Sequence, residues 1–352
     1  MDTIKPFSPE AYARTCANFG PTVRCTLPDP RSPPLFIEPV DTRLAMNLEA
    51  FVDWFNSHRM AMDMALIDHG AVVFRGFPIP DTDSFRALID GLPTHSMGYA
   101  GGAALRKGIK GQVMEATRIG ASFYIQLHQE MSYLPNNPRM LGFFCHVTAE
   151  TGGATVIADM RRVTAALPPD LLQKLALLGV RYTRNLLAPD AKDGRTDPVF
   201  GHNNWVANFG TNDKGEVEAS CRERGLCPHW REDGSLDLIN EQPALTCHPV
   251  TGEELYFNQG HVQIARRQSY GDTAYDHMVK VYGDLPKAFD ASFGDGSPIS
   301  DDELDAIYTA LHEASASFPW QSGDVMFVEN KFTAHGREPF TGHRDTQVAL
   351  FD

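Results

Sequence analysis

The sequence predicts an α+β fold built on a β-sandwich or jelly roll, with helices on its flanks. Short apolar stretches typical of strands recur along the chain and are separated by turn residues. The helical patterns are set apart from these strands, which indicates an α+β arrangement. The 352 residues are enough for one large domain, and no linker or internal repeat divides them. We therefore expect a single domain over residues 1–352.

The individual elements follow from the pattern of each segment. Residues 1–45 are rich in proline and predict an irregular N-terminal segment, and the glycine-rich residues 97–120 predict a mobile loop. Apolar spacing and end signals predict helices over 47–66, 81–92, 168–179 and 300–317. Strand-forming residues predict strands over 71–79, 122–132, 140–148, 154–160, 254–259, 325–330 and 346–351.

Composition excludes several classes of partner. The net charge of −14 argues against binding to nucleic acid or to an anionic membrane, because both need basic surfaces. The six cysteines form no Cys-x-x-Cys pair, so we expect reduced thiols and no zinc site. A signal peptide and an apolar stretch of membrane-spanning length are not evident, and we expect a cytoplasmic protein.

The segment "YIQLHQEMSY" (124–133) combines strand-forming residues with three hydrophilic ones, Gln126, His128 and Glu130. Alternate residues of a strand point to the same face, so an imidazole and a carboxylate would lie side by side. Two histidines and one carboxylate form the ligand set of many Fe(II) sites. His335, in "FTAHGREPFTGHR", follows a predicted strand and could supply the third ligand.

Other histidines fit the role of third ligand by residue type alone, and spacing does not choose between them. They are His202, His248, His261 and His343. An alternative interpretation of His128 is a half-buried histidine bonded to backbone.

Six segments, in the same order, give the chain its resemblance to a known family. They are "HGAVVFRGF", "LHQEMSY", "GGATVIADM", "W…FGTNDKGEVEASC", "HPVTGEELYFNQGH" and "FPWQSGDVMFVENKFTAHGREPFTGHR". The sequence resembles the taurine dioxygenase family of Fe(II)- and 2-oxoglutarate-dependent oxygenases. It is most similar to the branch with glutamate in the metal triad, which includes clavaminate synthase and syringomycin-type amino acid hydroxylases.

The resemblance implies a double-stranded β-helix with a defined site. His128, Glu130 and His335 would hold Fe(II), Thr155 would donate a hydrogen bond to the distal carboxylate of 2-oxoglutarate, and Arg344 would form an ion pair with that carboxylate. A guanidinium fits a planar carboxylate in bidentate geometry, which agrees with this role. O₂ and 2-oxoglutarate would be consumed, with succinate and CO₂ as products.

Two residues depart from the family pattern. Glu329 stands where aspartate is usual, and Asp345 stands where a second basic residue is common beside Arg344. Arg337, close to His335, is interpreted as structural.

The resemblance also implies a substrate class. The substrate would be a small amino acid or a derivative of one, free or held on a carrier protein. Hydroxylation of an unactivated C–H bond is expected, with desaturation, epoxidation or cyclisation as other outcomes. The residues suggested for the substrate pocket are Gln126, Tyr133, Arg106, Asn203 and Asn204.

Two other function classes remain open at this point. The chain could be a metal-binding or regulatory jelly roll without catalysis, although such a protein would not need Thr155 and Arg344 as a carboxylate clamp. It could also be a metal-dependent hydrolase, with zinc on histidines alone and Glu130 as general base. Consumption of 2-oxoglutarate would separate the oxygenase from both.

Overall fold

The structure is a computed structural model, and it describes residues 7–30, 32–95, 108–116, 120–192, 195 and 202–352. The helices within these residues are α1 (Pro9–Phe19), α2 (Thr42–Met46), α3 (Leu48–Ser57), α4 (Arg59–His69), α5 (Thr82–Ile89), α6 (Met160–Ala166), α7 (Pro169–Leu178), α8 (Trp205–Phe209), α9 (Lys214–Glu223), α10 (Gly260–Gln263), α11 (Arg267–Tyr270), α12 (Asp272–Tyr282) and α13 (Asp301–Glu313). The strands are β1 (Val23–Thr26), β2 (Leu35–Pro39), β3 (Ala71–Phe74), β4 (Gly108–Lys110), β5 (Val113–Glu115), β6 (Ile125–His128), β7 (Met140–Val147), β8 (Thr151–Gly152), β9 (Thr155–Asp159), β10 (Val180–Leu186), β11 (Cys227–Trp230), β12 (Leu236–Gln242), β13 (Leu245–Cys247), β14 (Glu254–Tyr256), β15 (Phe289–Phe293), β16 (Ser315–Phe318), β17 (Val325–Glu329), β18 (Thr333–Arg337), β19 (Phe340–Thr341) and β20 (Asp345–Phe351).

Two sheets form the core of the fold. The large sheet has the order β1-β2-β3-β17-β7-β20-β5-β4, and the small sheet has the order β16-β9-β18-β6. One buried cluster draws Val73, Phe143 and Val348 from the large sheet, and Ile157 and Phe318 from the small sheet. The two sheets therefore pack face to face over a shared apolar layer, which is the predicted jelly-roll arrangement.

Helices cover the outer face of the large sheet. Phe51 and Phe55 of α3 lie against Phe74 of β3 and Phe327 of β17, with ring centroids 6.0 Å apart for Phe51 and Phe74 and 5.6 Å apart for Phe55 and Phe327. β17 is covered on both faces, so all five of its residues are buried and they do not alternate between buried and exposed positions. Because helices cover its outer face, β17 has apolar residues on both faces, and its sequence therefore predicts a strand as a short apolar segment.

The outer face of the small sheet is covered by α6, α7, α13 and a third sheet of order β11-β12-β10-β15. The small sheet ends at β6, which pairs only with β18 among the strands described. β6 is therefore an edge strand of the small sheet, and the segment after it is buried by neighbouring parts of the chain. No helix in the described residues is long and apolar enough to cross a membrane.

The described part of the segment 1–45 is not irregular, contrary to the prediction. Ser8 caps α1 through a hydrogen bond from the Ala11 amide, and Pro9 occupies the first turn, where a missing N–H costs nothing. β1 then pairs with β2, and β2 runs parallel to β3. The prolines of this segment predicted irregular structure, but Pro9 begins a helix.

Two predicted helices have different ends in the structure. The helix expected over 47–66 divides into α3 and α4 at His58, whose backbone leaves the helical region with a φ of −108° and a ψ of 19°. The helix expected over 300–317 ends at Glu313, and the residues after it form β16 against β9. A strand partner far away in sequence leaves no local signal.

The loop expected over 97–120 is partly described. Residues 108–115 form the paired strands β4 and β5, so this part is not a loop. Residues 97–107, including the suggested substrate residue Arg106, and residues 117–119 lie outside the described residues.

Candidate metal centre

The two histidines of the predicted triad lie opposite each other on neighbouring strands. His335 of β18 is the cross-strand partner of His128 of β6, and their ring centroids are 4.5 Å apart. Cross-strand partners point to the same face of a sheet, so both imidazoles project from the small sheet together. The pairing joins two segments that are far apart in sequence.

Glu130 completes the cluster, but it does not lie on a strand as predicted. β6 ends at His128, and the chain turns at Met131, which has a φ of 55°. Ligand atoms of His128, Glu130 and His335 all lie within 4.8 Å of one another, and the Oε2 atom of Glu130 is 3.6 Å from Nε2 of His335. The carboxylate of Glu130 therefore lies beside the two histidines, although it is carried by a turn and not by β6.

The hydrogen bonds of the histidines leave nitrogen atoms available for a metal. Nδ1 of His128 bonds to the backbone carbonyl of Gln126 at 2.8 Å, so Nδ1 carries the proton and Nε2 is the atom that can act as a metal ligand. Nδ1 of His335 is buried and has no hydrogen-bond partner in the described structure. Two imidazoles and a buried carboxylate form a donor set that fits Fe(II).

The turn that carries Glu130 is held by a buried amide. Oδ1 of Asn330 accepts a hydrogen bond from the Glu130 amide at 2.8 Å, and its Nδ2 donates to the carbonyls of Glu130 and Pro138 at 2.9 Å each. In return, Nε2 of Gln129 donates to the carbonyls of Asn330 and Lys331 at 3.1 Å each. These bonds fix the turn of Glu130 to the segment that leads into His335.

A cavity lies directly beside the triad. It is lined by His128 and His335 together with Thr155, Arg337 and Arg344. Thr155 sits on β9, next to β18, where it is the cross-strand partner of Arg337. The predicted cosubstrate residues are thus brought to the same cavity as two of the predicted metal ligands.

The hydroxyl of Thr155 already accepts one hydrogen bond within the protein. Nε1 of Trp320 donates to Oγ1 of Thr155 at 2.9 Å. An indole N–H can only donate, so the threonine oxygen accepts this bond and its own proton remains available. Thr155 can therefore donate a hydrogen bond into the cavity.

Arg344 is a cation without an acidic partner among the described residues. Its Nε donates to the Gly153 carbonyl at 3.0 Å, while the neighbouring Asp345 bonds to Nδ1 of His146 at 2.8 Å. Burial, and then the nearby charge of Arg337, lowers the pKa of Arg344 to about 10. An anion bound in the cavity would relieve both effects, because it would replace lost solvation and offset the second positive charge.

Arg337 itself has backbone partners, in line with a structural role. Its Nη2 donates to the carbonyls of Gly120 and Phe123 at 2.8 Å each. These bonds anchor the segment that precedes β6. Glu329, the other departure from the family pattern, lies 3.3 Å from Nη1 of Arg139.

The residues suggested for the substrate pocket are less well supported. Tyr133 lines a large cavity, which is a different one from that beside the triad. Gln126 contributes its carbonyl to His128, and the side chain of Asn204 caps α8 through the Ala207 amide. Asn203 is exposed, and its carbonyl accepts from the Leu187 amide. The role of Asn204 in a substrate pocket stays a prediction, and its side chain already serves as the cap of α8.

Trp320 and Asn330 were missed by sequence reasoning. Their partners are 165 and 200 residues away, so nothing in the local sequence marks their roles. The single available signal is that both flank β17 inside the region of the distal histidine.

A jelly roll that presents two histidines and a carboxylate beside a cavity for an anion defines a class of protein, the Fe(II)- and 2-oxoglutarate-dependent oxygenases. Residues 33–350 match the family described as Taurine catabolism dioxygenase TauD, TfdA family. The chain belongs to this family. It is an Fe(II)/2-oxoglutarate-dependent dioxygenase, with Fe(II), 2-oxoglutarate and O₂ as its cofactors and cosubstrates.

Individual relatives agree with this membership. The chain is 32% identical over 314 residues to the dapdiamide synthesis protein DdaC of Enterobacter agglomerans, covering 88% of this chain and 89% of that protein. It is 28% identical over 323 residues to a clavaminate synthase-like protein of Arabidopsis thaliana, covering 91% and 92% respectively. A structure of PvcB, described as an Fe, alpha-ketoglutarate dependent oxygenase from an isonitrile synthetic pathway, shares the fold with a TM-score of 0.50 at 18% identity, covering 94% of this chain and 92% of that chain. A second PvcB structure comes from Pseudomonas aeruginosa.

Proposed function

We propose that this dioxygenase oxidises an unactivated C–H bond of a small amino acid or amino acid derivative, with hydroxylation as the outcome. His128, Glu130 and His335 hold the iron, and Thr155 with Arg344 binds the distal carboxylate of 2-oxoglutarate. The observation that carries this proposal is the convergence of the three donor side chains within 4.8 Å, beside a cavity that contains an arginine without an acidic partner.

The work divides between the iron and the protein. When bound, iron with 2-oxoglutarate supplies the activation of O₂ that side chains cannot provide. Arg344 offers two parallel N–H groups to the distal carboxylate, and Thr155 adds a hydrogen bond whose direction Trp320 has fixed. These contacts would hold the distal carboxylate of 2-oxoglutarate in the cavity that His128 and His335 also line.

The relatives support an amino acid-like substrate in specialised metabolism. One is named for dapdiamide synthesis and another for its likeness to clavaminate synthase. The chain also carries the His-x-Glu motif of the branch that contains amino acid hydroxylases. Neither the relatives nor the site favours the hydrolase alternative, because a hydrolase has no use for a bound 2-oxoglutarate.

The test is a turnover assay with Fe(II), 2-oxoglutarate and a panel of amino acids, with succinate as the measured product. We expect succinate to rise above the substrate-free rate for at least one compound, with oxidised product in matching amount. His335→Ala should abolish this coupled turnover and weaken iron binding, since it removes one of three protein ligands. His343→Ala, at an exposed histidine of the same segment, is the matched control and should retain activity. Full activity in His335→Ala together with loss in His343→Ala would move the ligand role to His343.

A further inference from the structure

A second cavity opens behind the turn that carries Glu130. It has a volume of about 400 Å³, which is in the range of small-molecule sites. Its walls include Tyr133, Tyr182, Leu238 and Phe289, with the amide side chain of Asn240 among them. Apolar and aromatic side chains form most of its surface, and the amide groups of Asn136, Asn208 and Gln263 also line it.

Arg184 of β10 brings a positive charge into this apolar cavity. Its guanidinium lies over the ring of Phe289, 5.6 Å from the centroid, and burial lowers its pKa. No carboxylate forms an ion pair with it in the part of the chain that the structure describes, and the titratable group whose charge acts on its pKa is Tyr133. A guanidinium in such surroundings has lost hydration without gaining an anion, which is costly unless a ligand supplies one.

The charges at the mouth of the cavity do not replace that anion. Glu223 and Arg224 both line the rim and both are exposed. Arg224 lies over the ring of Phe209, 5.9 Å from its centroid. The two rim charges are of opposite sign and largely solvated, so they leave the interior charge of Arg184 unbalanced.

The cavity is close to the triad but separate from the cosubstrate cavity. Tyr133 is the third residue after Glu130, so their Cα atoms are at most about 11 Å apart. The two cavities share no lining residue. Arg184 is thus available to bind an anion other than 2-oxoglutarate.

We infer that Arg184 binds the carboxylate of the substrate, and that the substrate is a free acid with an apolar or aromatic body. This inference rests on the proposed function, and it deepens the proposal by narrowing the substrate class. An amino acid held on a carrier protein as a thioester has no free α-carboxylate and would lose this ion pair. The structure therefore favours a free substrate over a carrier-bound one.

The test is calorimetric titration of the enzyme loaded with Fe(II) and 2-oxoglutarate under anaerobic conditions. The probes are 3-phenylpropanoate and its uncharged counterpart 3-phenylpropanamide. We expect the acid to bind the wild-type enzyme at least about tenfold more tightly than the amide, since a partly buried charge pair distinguishes them. Arg184→Met should remove the preference, Arg184→Lys should keep part of it, and the rim control Arg224→Met should keep all of it.

Three results would overturn the inference. They are equal affinity for acid and amide in the wild type, failure of both probes to bind, and a preference that survives in Arg184→Met. Weaker binding of 2-oxoglutarate in Arg184→Met would also overturn it, because Arg184 would then serve the cosubstrate. Binding is measured without turnover, so an enzyme that forms no succinate in the panel would disprove the proposed function and still give a readable answer here.

Discussion

At the scale of single residues, the cosubstrate cavity depends on two side chains whose other bonds are already fixed. Trp320 occupies the acceptor side of the Thr155 hydroxyl, and the Gly153 carbonyl holds Nε of Arg344. The remaining donors of both residues are left for a ligand in the cavity. This arrangement reduces the conformational freedom that would be lost when 2-oxoglutarate binds.

Replacement of Arg344 should therefore act on 2-oxoglutarate and leave the iron unaffected. Loss of one partner of a buried charge pair costs about 2–5 kcal/mol, so Arg344→Ala should raise the KM for 2-oxoglutarate roughly thirtyfold or more. Thr155→Ala removes one hydrogen bond to a charged group, and its effect should be on the order of tenfold. Titration of 2-oxoglutarate, followed by the visible absorbance of the anaerobic iron complex, measures both. If Arg344→Ala binds 2-oxoglutarate like the wild type, the clamp lies elsewhere.

At the scale of elements, the metal centre depends on how β6 and β18 are joined. Asn330 connects the turn after β6 to the segment between β17 and β18, with three hydrogen bonds from one fully buried side chain. The two proposed histidine ligands are positioned by strand pairing, whereas Glu130 is positioned by this amide. The carboxylate should thus be the ligand most sensitive to changes outside the triad.

Asn330→Ala should test this dependence. The variant leaves the Glu130 amide and two carbonyls without partners, which should destabilise the fold by about 2–3 kcal/mol and weaken iron binding by roughly tenfold. Urea denaturation and iron titration measure the two effects separately. Asn137→Ala is the control, because the Asn137 side chain bonds only to the Leu134 carbonyl outside the triad. Unchanged iron affinity in Asn330→Ala would show that the turn holds Glu130 without help.

Prediction from the sequence succeeded for elements with a strong local pattern. The strands expected over 140–148 and 325–330 are present almost as predicted, because both are continuous apolar runs buried on two faces. β16 was missed because "SASF" becomes a strand only by pairing with β9. The triad was indicated by spacing and family resemblance, but the turn at Glu130 was not, since it depends on Asn330, 200 residues away. The roles of the site residues stay predictions until the variants are measured.

At the scale of the whole molecule, buried histidines connect the layers of the fold. His69, at the end of α4, bonds through Nε2 to the hydroxyl of Thr15 in α1, and burial lowers its pKa to about 4. His261 of α10 bonds through Nε2 to the Leu127 carbonyl of β6, and burial lowers its pKa to about 4 as well. One histidine supports the helical layer on the large sheet, and the other supports the small sheet.

Lowering the pH should therefore reduce the free energy of unfolding at pH values above those at which most carboxylates become protonated. Between pH 6.5 and pH 4, a histidine in the unfolded chain takes up a proton, whereas the same histidine buried in the folded protein stays unprotonated. The free energy of unfolding therefore falls as the pH falls. For His69, the loss between pH 7 and pH 5 should be about 2 kcal/mol, at about 1.4 kcal/mol per pH unit below 6.5. His69→Leu cannot titrate, so its stability should fall by correspondingly less over the same interval, although it is less stable at pH 7 for want of the bond to Thr15. Urea denaturation of both proteins at pH 7 and pH 5 gives the four free energies needed, and equal losses in the two proteins would show that His69 is protonated in the folded state.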